Sequence, residues 1–117
     1  MSAAEQREFV DRFYKALDAG DAETASALFP DGTVIDLWDG RTFRTRAEFR
    51  AWFERLHATS TDAKREVTQM KVDGNTVDVE VVLRATVNGE EKVVKLRHQF
   101  HFEGDQLVRV RVDITPL

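Results

Sequence analysis

Read with a period of two, Val93–Phe102 (VVKLRHQFHF) places Val94, Leu96, His98, Phe100 and Phe102 on one face and Val93, Lys95, Arg97, Gln99 and His101 on the other. This is the pattern of a half-buried antiparallel strand whose apolar row is broken once, by His98. The same alternation runs through Thr76–Val87, with Val77, Val79, Val81, Leu83, Ala85 and Val87 inward. In Gln106–Thr115 it puts Val108, Val110, Val112 and Ile114 inward. The strand before them, Asp62–Val72, is out of phase with itself. Ala63, Arg65, Val67 and Gln69 form one row, and Met70 and Val72 the other; a β-bulge where the sheet curves would turn Arg65 inside. Asp73-Gly74-Asn75, Asn88-Gly89 and Glu103-Gly104-Asp105 are hairpin turns, rich in residues that tolerate positive φ.

The N-terminal part follows a period near 3.6. Ser2-Ala-Ala-Glu5 is a capping box that opens a helix ending before Gly20, with Phe9, Phe13 and Leu17 as an i, i+4 ridge flanked by Val10 and Tyr14. Asp21 caps a short second helix that Pro30 stops. Thr33–Trp38 is a strand, and Asp39-Gly40 turns the chain into a short second strand around Thr42-Phe43. Thr45-Arg-Ala-Glu48 opens a further helix that buries Phe49, Trp52, Phe53 and Leu56. Helices followed by an antiparallel meander predict an α+β fold, with the helices on one face of a curved sheet. At 117 residues, with no linker, repeat or low-complexity stretch, residues 1–117 are expected to form one domain.

Composition removes several classes of chemistry. The net charge of −4 disfavours nucleic acid or an anionic membrane as partner. No cysteine is present, which excludes thiol catalysis, disulfides and cysteine zinc sites. No apolar run approaches ~18 residues, and the MSAAEQRE start is polar and acidic, so a soluble protein without an export signal, cytoplasmic in an expressing cell, is expected. Charges on the outward rows (Asp78, Glu80, Arg84, Lys95, Arg97, Arg109, Arg111, Asp113) describe a solvated sheet face with cross-strand pairs. Such a face argues for a monomer rather than a sheet-to-sheet dimer.

The polar residues left for chemistry are Tyr14, Asp18, Arg65, His98 and Asp36. A carboxylate at Asp18 faces the negative end of its own helix, and an inward arginine would compensate it. Tyr14 and His98, from facing elements, are placed to hydrogen-bond and so fix the imidazole tautomer. The competing reading is that both pairs only close a core. His98 and His101 lie on opposite strand faces and His57 on a helix end, so no metal site is expected. Phosphate-loop and nucleophile-elbow motifs are absent.

The run FYKALDAGDAETASALFPDGTVIDLWDG, followed by a helix and four long strands, resembles the NTF2-like fold, the cone-shaped family of ketosteroid isomerases and SnoaL-type cyclases. That resemblance covers the whole chain and implies a deep apolar pocket between helices and sheet. The idealised caps and glycine turns resemble a computational design. The set Tyr14, Asp18, Arg65 and His98 resembles that of de novo designed luciferases on NTF2-like scaffolds, and Ser60, Leu96 and Val110 look like those of an optimised member. The resemblance implies cofactor-free oxidation of a diphenylterazine-type imidazopyrazinone luciferin by O2, with blue light. In it Arg65, oriented by Asp18, would stabilise the anionic luciferin, and His98, set by Tyr14, would sit by the ionising N–H or the oxyanion. Val81, Leu83, Leu96, Val110 and Val112 have the inward parity to line the pocket. Two other readings stay open: a ketosteroid-isomerase-like proton transfer with Asp36 or His98 as base, and a non-catalytic binding scaffold.

Overall fold

The computed structural model of the protein describes residues 1–115. In chain order it contains α1 (Ala3–Asp18), α2 (Ala22–Ala27), β1 (Val34–Asp36), β2 (Thr42–Phe43), α3 (Arg46–Thr59), β3 (Lys64–Asp73), β4 (Thr76–Val87), β5 (Glu90–Glu103) and β6 (Gln106–Thr115). The strands form one sheet in the order β2-β1-β6-β5-β4-β3. All neighbours are antiparallel except β1 and β6, whose parallel pairing opposes Ile35 to Val110. The three helices pack on its concave face, which makes this an α+β, NTF2-like cone. No helix among the described residues is long and apolar enough to cross a membrane.

Local chemistry sets the boundaries. The hydroxyl of Ser2 accepts from the Glu5 N–H while the Glu5 carboxylate accepts from the Ser2 N–H, closing the capping box. At α3 the Thr45 hydroxyl accepts from the Glu48 N–H, but the Glu48 carboxylate reaches one residue further back, to the Arg44 N–H. Helix α1 ends at Gly20, whose φ of +69° suits glycine, and the His57 ring of α3 lies directly over its Cα.

Two bulges decide which side chains face the helices. Val67 pairs with Val81 and Gln69 with Glu80, so Thr68 is the extra residue, and the inward row passes from Ala63, Arg65 and Val67 to Met70 and Val72. The second bulge corrects the expected phase of β6. His101 pairs with Arg109 and Phe102 with Leu107, which leaves Val108 unpaired; Leu107 is buried in the core and Val108 is only half-buried. The physical reason is the tight turn at Gly104, which fixes the pairing of Phe102 and forces the slip one residue later.

The narrow end of the cone is densely filled. Val77, Val79, Phe100, Leu107 and Val10 are essentially inaccessible, and Phe9 meets Phe102 edge-on with ring centroids 5.4 Å apart. The outer face carries the pairs Arg97–Asp78, Lys95–Glu80 and Arg109–Asp36, all solvent-exposed in part and each worth at most about 1 kcal/mol. Replacing Gly20 by Ala should cost roughly 1–3 kcal/mol, because the new Cβ would combine a left-handed backbone with a 2.4 Å approach to His57 Nε2. Chemical denaturation of Gly20→Ala beside Gly20→Ala/His57→Ala checks this: the second change should recover the part due to the clash.

Candidate functional site

Helix α1 delivers Tyr14 and Asp18 from one side, four residues apart and therefore stacked along its inner edge. The sheet answers each from the other side. The Tyr14 hydroxyl lies 2.9 Å from His98 Nδ1, and both side chains are buried. Arg65 donates from its main-chain N–H to both oxygens of Asp18, at 3.1 and 3.3 Å, and from Nη1 to Oδ1 at 3.0 Å. The Arg65 side chain is 6% exposed and that of Asp18 24%. The Lys64 ammonium adds a contact to the Asp18 carbonyl, so cations gather at the negative end of α1.

The protonation states follow from burial. Desolvation raises the Tyr14 phenol well above its ordinary value, against the opposing pull of the Arg65 charge, so it keeps its proton. The same desolvation, reinforced by Arg65, pushes His98 down to about 3, so the imidazole is neutral at pH 7. Their mutual contact is the only hydrogen bond of either side chain among the described residues. A buried phenol needs an acceptor, and here only Nδ1 serves; the ring proton therefore sits on Nε2. His98 offers the space in front of it a donor, not a base.

That space is a cavity of about 150 Å3 lined by His98 and Arg65 together with apolar side chains. Phe13, Phe29, Phe49, Trp52 and Phe53 form its aromatic wall, with Phe29 and Phe49 edge-on at 4.8 Å. Leu83, Leu96, Val110 and Val112 line the sheet side. Val81 does not reach the cavity. It has the inward parity but is completely covered, one step nearer the packed end of the cone than Leu83, and belongs to the core. Tyr14 and Asp18 stand behind His98 and Arg65 rather than in the wall.

Three further features define the surroundings of the cavity, and one of them, the outward Asp36, agrees with its parity against Ile35 and Leu37. Leu56 and Ile114, expected as inward residues, are each 39% exposed and lie at the cavity's rim with Trp38, which is 45% exposed. The hint was their position, at a turn and at the last turns of apolar rows, where a pattern runs on after its covering layer has ended. Asp36 points outward, held by Arg109 Nε at 2.8 Å and Thr42 at 3.0 Å; burial would raise its pKa, and those hydrogen bonds outweigh it to hold it below the usual range. It is therefore not a base for this cavity. The third feature is negative: among the described residues no side-chain carboxylate lines the cavity, and its polar lining groups, Arg65, His98 with its Nδ1 taken by Tyr14, and the indoles of Trp38 and Trp52, offer N–H donors. No group of three or more side chains suited to hold a metal occurs among the described residues.

The profile of the SnoaL-like domain matches residues 10–110. An NTF2-like protein of unknown function from Burkholderia pseudomallei superimposes with a TM-score of 0.86, at 19% identity over 98% of this chain and 92% of that one. A putative SnoaL-like polyketide cyclase from Shewanella denitrificans does so at 0.85, with 14% identity over 97% and 92%. A de novo designed protein with a curved β-sheet does so at 0.76, with 23% identity over 99% and 89%. No curated protein matches the chain.

The depressed His98 pKa sets an acid sensitivity. The unfolded histidine takes up a proton near pH 6.5 and the folded one only near 3, so this contribution to stability is full above about pH 6.5 and is lost as pH falls. Between pH 6.5 and 4.5 the slope should approach about 1.4 kcal/mol per pH unit, and His98→Asn should flatten it. Urea unfolding across that range measures both; an unchanged slope would mean that His98 is accessible to protons in the native state.

Proposed function

The chain belongs to the SnoaL-like domain family, whose fold is a scaffold for small-molecule binding or catalysis, and on that premise we propose that it is an artificial luciferase oxidising a diphenylterazine-type imidazopyrazinone with O2. One observation carries the reading: the cavity presents an aromatic wall and hydrogen-bond donors, one of them cationic, but no acceptor or base. Such a lining favours a flat apolar molecule whose reactive form is an anion.

The chemistry needs little more. The luciferin N–H is lost to solvent, because His98 is too weak a base to hold the proton near pH 7. Arg65 favours the resulting oxyanion, and Asp18 fixes the guanidinium that does so. The anion gives an electron to O2, the radical pair closes to a peroxide, and the peroxide attacks the neighbouring carbonyl and expels the ring nitrogen, breaking that C–N bond to form a dioxetanone. Cleavage of its O–O and C–C bonds releases CO2 and leaves the excited amide. Nε2–H of His98 is a neutral donor for charge that develops on oxygen during these steps. The apolar wall excludes the water that would screen the anion and quench the product. Oxygen is the co-substrate, the luciferin the only partner, and the reading calls for no metal or organic cofactor.

A ketosteroid-isomerase-like reaction fits less well, since it requires a base in the pocket and Asp36 lies outside. A non-catalytic binding scaffold would bind the same anion without turnover.

Photon counting after mixing with a diphenyl-substituted imidazopyrazinone in aerated buffer tests the proposal. Light well above the spontaneous glow, abolished under nitrogen, is expected; darkness with tight binding would leave only a binding scaffold. Arg65→Ala should lower the light output by about 10²–10³-fold, the size expected for one oxyanion donor. His98→Ala should lower turnover more than affinity. Full output from folded Arg65→Ala, with native near-ultraviolet circular dichroism, would remove the anion-stabilising role.

A further inference from the structure

Past Arg65 lies a second cavity, also of about 150 Å3. Both spaces share Leu17, Phe53, Leu56, Arg65, Leu83 and Val94 as walls, so the guanidinium stands at a waist between two chambers. The far chamber is floored by Ala63, just before β3, and by Ala85 and Val87 on β4, and its rim is polar, with Thr59, Ser60 and Lys92. Larger residues at Ala63 and Ala85 would fill it; the space exists because the inward rows of β3 and β4 end in small residues where the sheet outruns α3.

Size turns this arrangement into a binding statement. An apolar cavity near 150 Å3 holds about one benzene-sized ring. A heteroaromatic core with two aryl groups exceeds either chamber alone. We propose that the far chamber is a second aryl subsite: the ligand straddles the waist with its oxyanion at Arg65, one apolar arm in the chamber of His98 and the other on Ala63 and Ala85. At the rim Thr59 and Ser60 donate to the Leu56 carbonyl and the Asp62 carboxylate, so a hydrogen-bond acceptor at the end of that arm, such as a phenol oxygen, would face the Lys92 ammonium, which is bonded to Glu90 through one of its three N–H groups. This inference rests on the reading of Arg65 as anchor for an anion, and it assigns selectivity for the second arm to β3 and β4 rather than to the aromatic wall.

The test is anaerobic binding, which requires no turnover. A diphenyl-substituted imidazopyrazinone and its monophenyl analogue, lacking one arm, are titrated under nitrogen and followed by ligand fluorescence, with native protein, Ala85→Phe and the milder Ala63→Val. The ratio of the two affinities should fall by roughly tenfold or more in Ala85→Phe, the loss expected when one phenyl-sized group goes unburied, and by less in Ala63→Val. Equal weakening of both ligands, an unchanged ratio, or no preference for the diphenyl ligand in the native protein would each overturn the subsite. Ala63→Val keeps the test decisive should Ala85→Phe fail to fold. The outcome is separable from the luciferase reading: discriminating binding without aerobic light keeps the subsite and removes the luciferase, and light with an unchanged ratio does the reverse.

Discussion

The pairing of Asp18 with Arg65 is the constraint on which the site depends. A carboxylate in the last turn of α1 opposes the helix dipole and is costly unless answered. Arg65 answers it twice, through its own main-chain N–H and through Nη1, so the contact fixes the backbone of β3 as well as the side chain. The helix end is thereby tied to the edge strand at the wide mouth of the cone. Apart from the hydrogen bonds of Tyr14 and Gln6, apolar packing joins α1 to the sheet elsewhere, but such packing here would fill the cavity. A partly buried ion pair, one guanidinium contact reinforced by the main-chain N–H, holds the layers at a set distance and leaves the rest of the guanidinium free for the cavity.

The second pair works by a different balance. Tyr14 and His98 are both pushed toward their neutral forms by desolvation, and Arg65 adds to the effect on the histidine. A neutral Nε2–H donor beside a permanent cation gives the cavity one charge and one dipole of the same sense. Neither group competes with a ligand for protons. The site is thus prearranged to stabilise negative charge that arrives or develops on the ligand, and poorly arranged to take a proton from carbon. That asymmetry, more than the fold, separates the anion-oxidation reading from proton-transfer chemistry on the same scaffold.

Much of this was readable in the chain. The alternation of β4 and β5 gave the faces of Val77, Val79, Phe100 and His98 directly, because long central strands are buried on one side for most of their length. The broken phase of Asp62–Val72 already demanded a bulge, and Thr68 supplies it. Where local pattern was misleading, tertiary geometry was the cause. Val108 lost its inward place because the Gly104 turn set the register of Phe102 and Leu107. Val81 has the parity of a wall residue yet lies in the core, since parity reports the side of a sheet and not the depth along a cone. Trp38, Leu56 and Ile114 follow apolar patterns that extend beyond the layer covering them. The far chamber had no local signature, because it is made where Ala63 before β3, Ala85 on β4 and the end of α3 meet.

Stability and function occupy opposite ends of the same sheet. Toward the hairpin turns of β3–β4 and β5–β6, Val77, Val79, Phe100, Phe102 and Leu107 pack without gaps against α1, and each large apolar side chain buried there contributes roughly 1.5–3 kcal/mol. Toward the mouth the side chains leave two chambers between them, and the walls forgo contacts with one another that a closed core would have made. The long strands β4 and β5 run through both regions, so the packed end braces the open end. Substitutions at Ala63, Ala85 or Leu96 therefore act on a region whose packing is already incomplete, and they can reshape the cavity at small cost to the fold. Substitutions at Phe100 or Val79 have no such latitude, because there a lost methylene leaves a void that close-packed neighbours cannot fill.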